Sequence, residues 1–331
     1  MAKLFGFILL FLSAAINSLA QSSDEEIAFF SRMTAGSGLP AKLLDTRSVI
    51  FYSYTMTSIE LDKIQQSCQR TGIDPIVYFE TDELLAGKDV SVAMARYLNK
   101  RDITNLIFFL KNEKGYKAYI TEYNTKETMV EQNQYAWIGE DASLSELLLK
   151  IYRAAGGGLK RLNMLINDVP ETDIEINPID GRRSDFFAID LKVDELAVPK
   201  TGNAAMDKAL EETFSAYPFK YKLTEPGLSE ATLRKNGSLY VLCFVHTRGS
   251  VAKKLLGYDM SKSESAIASI TYPDGSEAQL KNIPSQTPVY KFYFKHIDSG
   301  NVFLGTKWDA DTTWEQALKN QYRAFKAELK F

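Results

Sequence analysis

One pattern occurs twice in this chain, and it constrains the fold more than any other stretch. Residues 290–325 read as a strand (YKFYFKHI), a tight turn (DSGN), a second strand (VFLGTKW) and a capped amphipathic helix (TTWEQALKNQYRAFKAEL). Residues 117–154 carry a weaker version: KAYITEY, a longer loop at 124–132, QYAWIGE, then SLSELLLKIYRA. Lys117 and Tyr119 stand against Lys291 and Tyr293. Leu148, Tyr152, Arg153 and Ala154 stand against Leu318, Tyr322, Arg323 and Ala324, and Asp141 against Asp311. Glu122 against His296 is a mismatch.

The segments before each copy extend the parallel. Strands at 47–53, 74–79 and 105–110 are rich in β-branched and aromatic residues and alternate with helices at 58–70 and 90–98. Gly72 is placed to end the first of these helices. A hairpin (116–123 with 134–139) and a helix capped by Ser143 close the series. In the second half the expected order is a strand at 185–191, a helix at 203–217, a strand at 219–223, a short helix at 229–235 and a buried strand at 238–246. An insertion at 247–264, helical around 251–256, then precedes a hairpin turning at Pro273-Asp274-Gly275-Ser276. Strands separated by helices imply parallel neighbours, and hairpins imply antiparallel ones. The expected fold class is therefore α/β: two similar mixed-sheet domains in tandem, each roughly β-α-β-α-β-β-β-α. A length of 331 residues accommodates two domains.

Residues 1–20 have the layout of a secretory signal peptide. Lys3 is followed by an apolar run and by Ser18-Leu19-Ala20, which places cleavage after Ala20. The expected division is a leader at 1–20, a first repeat with an amino-terminal helical arm at 21–155, a linker at 156–183 and a second repeat at 184–331. A helix capped by Ser22 or Ser23 and running to about Met33 forms the arm, and Gly36-Ser37-Gly38 is a hinge behind it. The linker is polar and Pro-punctuated, with a short strand at 172–177. No stretch after the leader has the length of a membrane span, and the mature chain is expected in the periplasm or outside the cell. The formal charge of −3, with no Lys/Arg run, argues against nucleic acid as a partner. Only Cys68 and Cys243 are present. Both fit core positions, and whether they pair is open.

Chemistry-bearing patterns are few. No G-x-S-x-G elbow occurs, and Gly87-Lys88 and Gly156-Gly157-Gly158 hold only parts of a phosphate-binding loop. His246 and His296 are the only histidines. A His246/His296/Asp298 cluster would form if the sheet brought those strand ends together. Asp45, Asp82 with Glu83, and Asp309 with Asp311 sit at turns or helix starts, where capping accounts for them. The aromatic strands IFYSY, IVYF, IFFL and YKFYF fit a packed core better than a carbohydrate platform. No catalytic, cofactor-binding or metal-binding residue is assigned.

The run Ile297-Asp298-Ser299-Gly300-Asn301-Val302-Phe303 with Trp308, ahead of a Thr-capped helix, resembles a hairpin of one group of bacterial envelope domains. That group includes the amino-terminal domain of the Tol-system β-propeller protein and the curli-secretion lipoprotein family, whose hairpin has the form strand–D-x-x-G–strand–W. Here the Gly comes one residue early, and the first copy keeps only the aromatic, Trp137. The resemblance covers about the last third of each half and implies an adaptor or assembly role. The reading is an exported, non-catalytic binding or assembly protein of the bacterial cell envelope whose partner is another envelope protein, without a cofactor. Two alternatives stand beside it: a solute-binding protein using an inter-domain cleft, and an unrecognised hydrolase.

Overall fold

The computed structural model describes residues 24–171, 174–260, 265–273 and 277–331. The leader, the Ser22/Ser23 cap, residues 172–173 of the expected linker strand and Asp274, Gly275 and Ser276 of the expected turn lie outside them. The chain is α/β and divides into two compact units. One comprises residues through Leu85 with Ser91–Ile174; the other comprises Ala86–Val90 with Glu175–Phe331.

In the first unit α1 (Asp24–Phe30) leads into a short strand, β1 (Met33–Ala35). The expected single helix through Met33 therefore stops early. Phe29 and Phe30 both pack on Phe108, at ring-centroid distances of 5.5 and 5.2 Å, so one helical turn already spends the apolar residues. Met33-Thr34-Ala35 then joins the sheet edge in parallel with β6 (Gln134–Asp141). Next come β2 (Arg47–Tyr52), α2 (Ser58–Thr71), β3 (Asp74–Glu80), α3 (Thr81–Leu84), α4 (Lys88–Lys100), β4 (Ile103–Asn112), β5 (Gly115–Glu122) and α5 (Leu144–Gly156). The sheet order is β1-β6-β5-β4-β2-β3. β4, β2 and β3 run parallel, and β4, β5 and β6 are antiparallel.

Strand alternation loads both faces of this sheet. Ile50, Ile107 and Phe109 join Ile64 and Cys68 of α2 and Leu147, Leu148 and Ile151 of α5. Phe51, Phe79 and Phe108 stack on the other face against α1 and Tyr97 of α4. α2 starts with a complete capping box between Thr57 and Glu60 and ends on Gly72 at φ 99°, a left-handed cap that glycine adopts at little cost. At α5, Ser143 makes no side-chain cap; Asp141 instead accepts from the Ser143 amide at 2.9 Å. Between residues 174 and 177 the chain is irregular, and the expected linker strand is reduced to a parallel bridge from Glu171 to Val77.

The second unit contains β7 (Arg183–Ser184), β8 (Leu196–Pro199), α6 (Ala204–Phe214), β9 (Tyr221–Thr224), α7 (Glu230–Lys235), β10 (Tyr240–Arg248), α8 (Gly249–Leu255), β11 (Ala266–Thr271), β12 (Gln279–Pro284), β13 (Pro288–His296), β14 (Val302–Phe303) and α9 (Trp314–Leu329). Six strands order as β7-β14-β13-β10-β8-β9, and β11 pairs with β12 as a separate antiparallel hairpin. β7/β14, β10/β8 and β8/β9 are parallel, while β14/β13 and β13/β10 are antiparallel.

Two expectations fail here. Residues 185–191 are not a strand; Ile189–Lys192 form a 3-10 turn, and the strand is Leu196–Pro199. Phe187 and Leu191 are buried while Phe186 and Ile189 are exposed, a spacing of four that is helical rather than alternating. The strand after DSGN is also cut to Val302–Phe303. Gly305, at φ 82°, turns the chain where a Cβ would come within 2.6 Å of the Phe187 ring.

α9 closes the second core. Thr313 caps it, and Trp314, Leu318, Tyr322, Phe325 and Leu329 line one face against Phe292, Phe294, Phe214 and Tyr217. Phe325 is fully buried, with rings of Phe187, Phe294 and Phe331 between 5.0 and 5.2 Å away. Phe325→Ala is expected to destabilise this unit by about 3–5 kcal/mol. Urea unfolding followed by tryptophan fluorescence reads this directly, since Trp314 is buried in the same cluster.

Candidate functional site

A set of buried polar groups in the second unit surrounds Lys291. Its register on β13 places it opposite Val245 of β10. Its side chain is 0 % exposed and its Nζ lies 2.6 Å from Oδ1 of Asp309, itself 1 % exposed. Nζ donates to the Leu304 carbonyl and to Oε1 of Gln321, each at 2.8 Å. The strip carrying Asp309 is pinned from several sides. Trp308 O accepts from the Ile270 amide, Ala310 O from the Ser269 hydroxyl and Asp309 O from Asn320 Nδ2. Tyr290 and Asp311 exchange both backbone hydrogen bonds.

Asp311 lies two residues before the Thr313 cap and does not itself cap α9: its Oδ1 accepts from the Thr312 amide and pairs with Lys281 at 2.8 Å. Asp309 has no capping partner either, and burial raises its carboxyl while lowering Lys291, their mutual attraction opposing both shifts. Sequence reasoning missed this pair. The only signal was a lysine within the apolar run YKFYF.

The histidines are held apart. In the β10/β13 register His296 faces Tyr240 and His246 faces Tyr290. These positions are at opposite ends of the pairing, roughly 20 Å apart at about 3.3 Å per residue. His246 stacks on the Tyr290 ring at 3.8 Å, and His296 Nδ1 lies 3.1 Å from Ser299 Oγ. Asp298 accepts both of its contacts from Arg234 Nε, at 2.9 and 2.8 Å. The conceivable His/His/Asp cluster does not assemble. Among the described residues no group of three or more His, Cys, Asp or Glu is arranged to hold a metal ion. Lys88 donates to the Leu228 carbonyl, Gly156 is the last residue of α5, and Asp82 and Glu83 occupy the first turn of α3. Cys68 and Cys243 are free thiols, and burial pushes Cys68 up to about 12.

In the first unit two places bear on function. Open α/β sheets bind ligands at the carboxyl ends of their parallel strands. At that end Glu60, Lys111 and Tyr116 satisfy one another: Lys111 Nζ and the Tyr116 hydroxyl lie 2.9 and 2.5 Å from Glu60 Oε1. Ser53 Oγ is taken by the Lys111 amide at 3.0 Å. At the opposite end, where β2 and β3 begin, a cleft of about 290 Å³ is lined by Arg47, Asp74, Arg101, Glu171 and by Leu165 to Asn167. Arg101 and Glu171 form an ion pair across it.

The cleft wall continues into an apolar ribbon. Leu162, Met164, Leu165 and Val169 are all exposed, Met164 at 88 % and Leu165 at 91 %. The ribbon's backbone is nevertheless tied down. Leu162 and Asn163 amides donate to Leu44 O, the Asn167 amide to Asp74 Oδ1 and the Glu171 amide to Ile76 O. Asn167 O accepts from Gln65 and the Asn163 side chain donates to Gly72 O. Held this way, the apolar side chains are directed outward from a fixed main chain.

Compared with known proteins, the chain matches no protein-family model and no curated sequence.

Glu60 supplies a pH test. Desolvation raises its pKa, but hydrogen bonds from Lys111, the Thr57 amide, Tyr116 and the Thr57 hydroxyl outweigh it and hold the carboxyl at about 2, below the ordinary 4.5. The ionised form therefore favours the folded state above pH 4.5, and that contribution is lost as pH falls from 4.5 towards 2. Glu60→Gln is expected to be less stable than wild type at pH 7, with the gap narrowing across that window. Urea midpoints measured at pH 7, 4 and 2.5 check this; a gap that stays constant contradicts it.

Proposed function

We propose that this chain is an exported, non-catalytic binding or assembly protein of the bacterial cell envelope, built from two similar domains in tandem. It engages another envelope protein through the apolar ribbon of its first unit. The exposed ribbon carries the reading. Contiguous apolar side chains that stay in solvent while their backbone is ordered are characteristic of protein-interaction surfaces. A main chain fixed before binding also lowers the ordering cost of association. The charged cleft beside the ribbon, with Arg47, Asp74 and Glu171, offers a polar rim to such an apolar centre.

Export is supported by the layout of residues 1–20. The tandem reading draws support from the two sheets. Replacing β1, β2, β3, β4, β5 and β6 by β7, β8, β9, β10, β13 and β14 turns one strand order into the other, with every parallel and antiparallel pairing retained. α8 and the β11/β12 hairpin are then an insertion peculiar to the second copy. A binding role also agrees with the carboxyl ends of β2 and β4, where the polar side chains are engaged with one another.

The test is crosslinking and pull-down from the native envelope with the wild type and with a Met164→Glu/Leu165→Glu variant. Both positions are solvent-exposed, so circular dichroism and thermal midpoint should not change. A specific partner is expected with the wild type, its affinity falling by more than about tenfold in the variant, as for loss of a hot spot. Undiminished capture by the variant overturns the ribbon. A wild type that recovers no partner but is stabilised by a metabolite panel overturns the binding-protein reading in favour of a solute-binding one.

A further inference from the structure

The geometry around Lys291 points to a covalent modification. We propose that Lys291 and Asp309 condense into an intramolecular isopeptide bond that ties β13 to the segment leading into α9.

A lysine ammonium presents three N–H donors, whereas a neutral amine presents two and a lone pair. Here two acceptors, Leu304 O and Gln321 Oε1, take two donors at 2.8 Å each. The remaining direction of Nζ faces Asp309, 2.6 Å from Oδ1. Apart from this contact and its own backbone amide, the Asp309 carboxyl has no hydrogen-bond donor among the described residues. A charged carboxylate inside a protein is costly when its two oxygens leave water for so few donors. A neutral amine with its lone pair turned to a neutral carboxyl fits the same geometry without that cost.

The surroundings favour the neutral pair. Both side chains are excluded from solvent, and burial lowers the lysine and raises the aspartate, so each is shifted towards its neutral form. The nucleophile and the acid are then already in contact and immobilised. The Trp308–Asp311 strip is pinned by Ile270, Ser269, Asn320 and Tyr290, and Nζ is held by its two acceptors. Such positioning replaces the entropy that a bimolecular amide condensation would have to supply. Tyr258, from the segment peculiar to the second unit, packs edge-on against Trp308 at 5.0 Å and helps close the strip.

The step balances without a co-reactant. The Nζ lone pair attacks Cγ of the protonated Asp309 carboxyl and forms the C–N bond. A proton moves from nitrogen to the hydroxyl oxygen, the C–O bond breaks, and one water leaves. No oxidation occurs. The product is a neutral secondary amide, a species better suited to an apolar interior than an ion pair.

The proposal predicts a peptide-level outcome in the full-length wild-type protein, so no variant has to fold. Trypsin cannot cleave after a lysine whose amine is acylated. Digestion of the denatured protein should yield a branched species in which residues 282–295 are joined to residues 308–319. Its mass should be one water below the sum of the two peptides, with fragment ions placing the junction at Lys291 and Asp309. Lys291→Arg and Asp309→Ala should each abolish the branched species. If the wild type gives residues 282–291 and 308–319 as separate, unmodified peptides in full yield and no branched species, the pair is an ordinary buried ion pair and the proposal is overturned.

Discussion

The second unit depends on the meeting of Lys291 and Asp309. A lysine in the middle of an apolar strand would be untenable alone, since burying its charge without a partner is among the costliest changes a core can accept. It is tolerated because a helix (Gln321), a strand exit (Leu304) and the loop before α9 (Asp309) converge on one nitrogen. Those elements must be correctly placed for the lysine to be satisfied, so the pair couples the register of β13 to the docking of α9. Removing one partner of such a buried pair usually costs about 3–5 kcal/mol, comparable to removing a large aromatic from the core.

A different economy governs the first unit. Its polar residues at the carboxyl ends of the parallel strands are spent on one another, and Glu60 both caps α2 and anchors Lys111 and Tyr116. Its apolar residues are not all spent. The ribbon at 162–169 is fastened by main-chain and Asn side-chain hydrogen bonds while its large side chains face solvent. Order without burial is expensive in a molecule that functions alone and economical in one that binds, and the proposed role rests on that distinction.

Much of the architecture could be read from residue patterns. The alternation of Val49, Ile50 and Phe51, or of Ile107, Phe108 and Phe109, announces strands covered on both faces. The Thr57/Glu60 box and Thr313 announce helix starts. What escaped had physical reasons. β1 is held by its neighbour β6 and by the packing of Phe29 and Phe30, neither visible locally. Leu191 belongs to a 3-10 turn, and Phe187 precedes it outside any strand, although the run reads as alternating. Both histidines end strands, and whether those ends meet depends on the pairing; antiparallel pairing sends them to opposite ends of the β10/β13 ladder. Asp309 passed for a cap because nothing local distinguishes it from Asp311; only the partner across the fold does. The ribbon reads as a polar connection by composition, and its tethering involves Leu44, Gln65, Gly72, Asp74 and Ile76, all distant in sequence.

Hydrogen exchange tests the central role of Lys291 most directly. The account predicts that in Lys291→Met the amides of β13, of the 304–311 segment and of α9 lose protection together, because the coupling between them is gone. The amides of β2 and β4 in the first unit should retain theirs. Unchanged protection along β13 and α9 in the variant would contradict the account, showing that the surrounding aromatic core sets this packing without the buried pair.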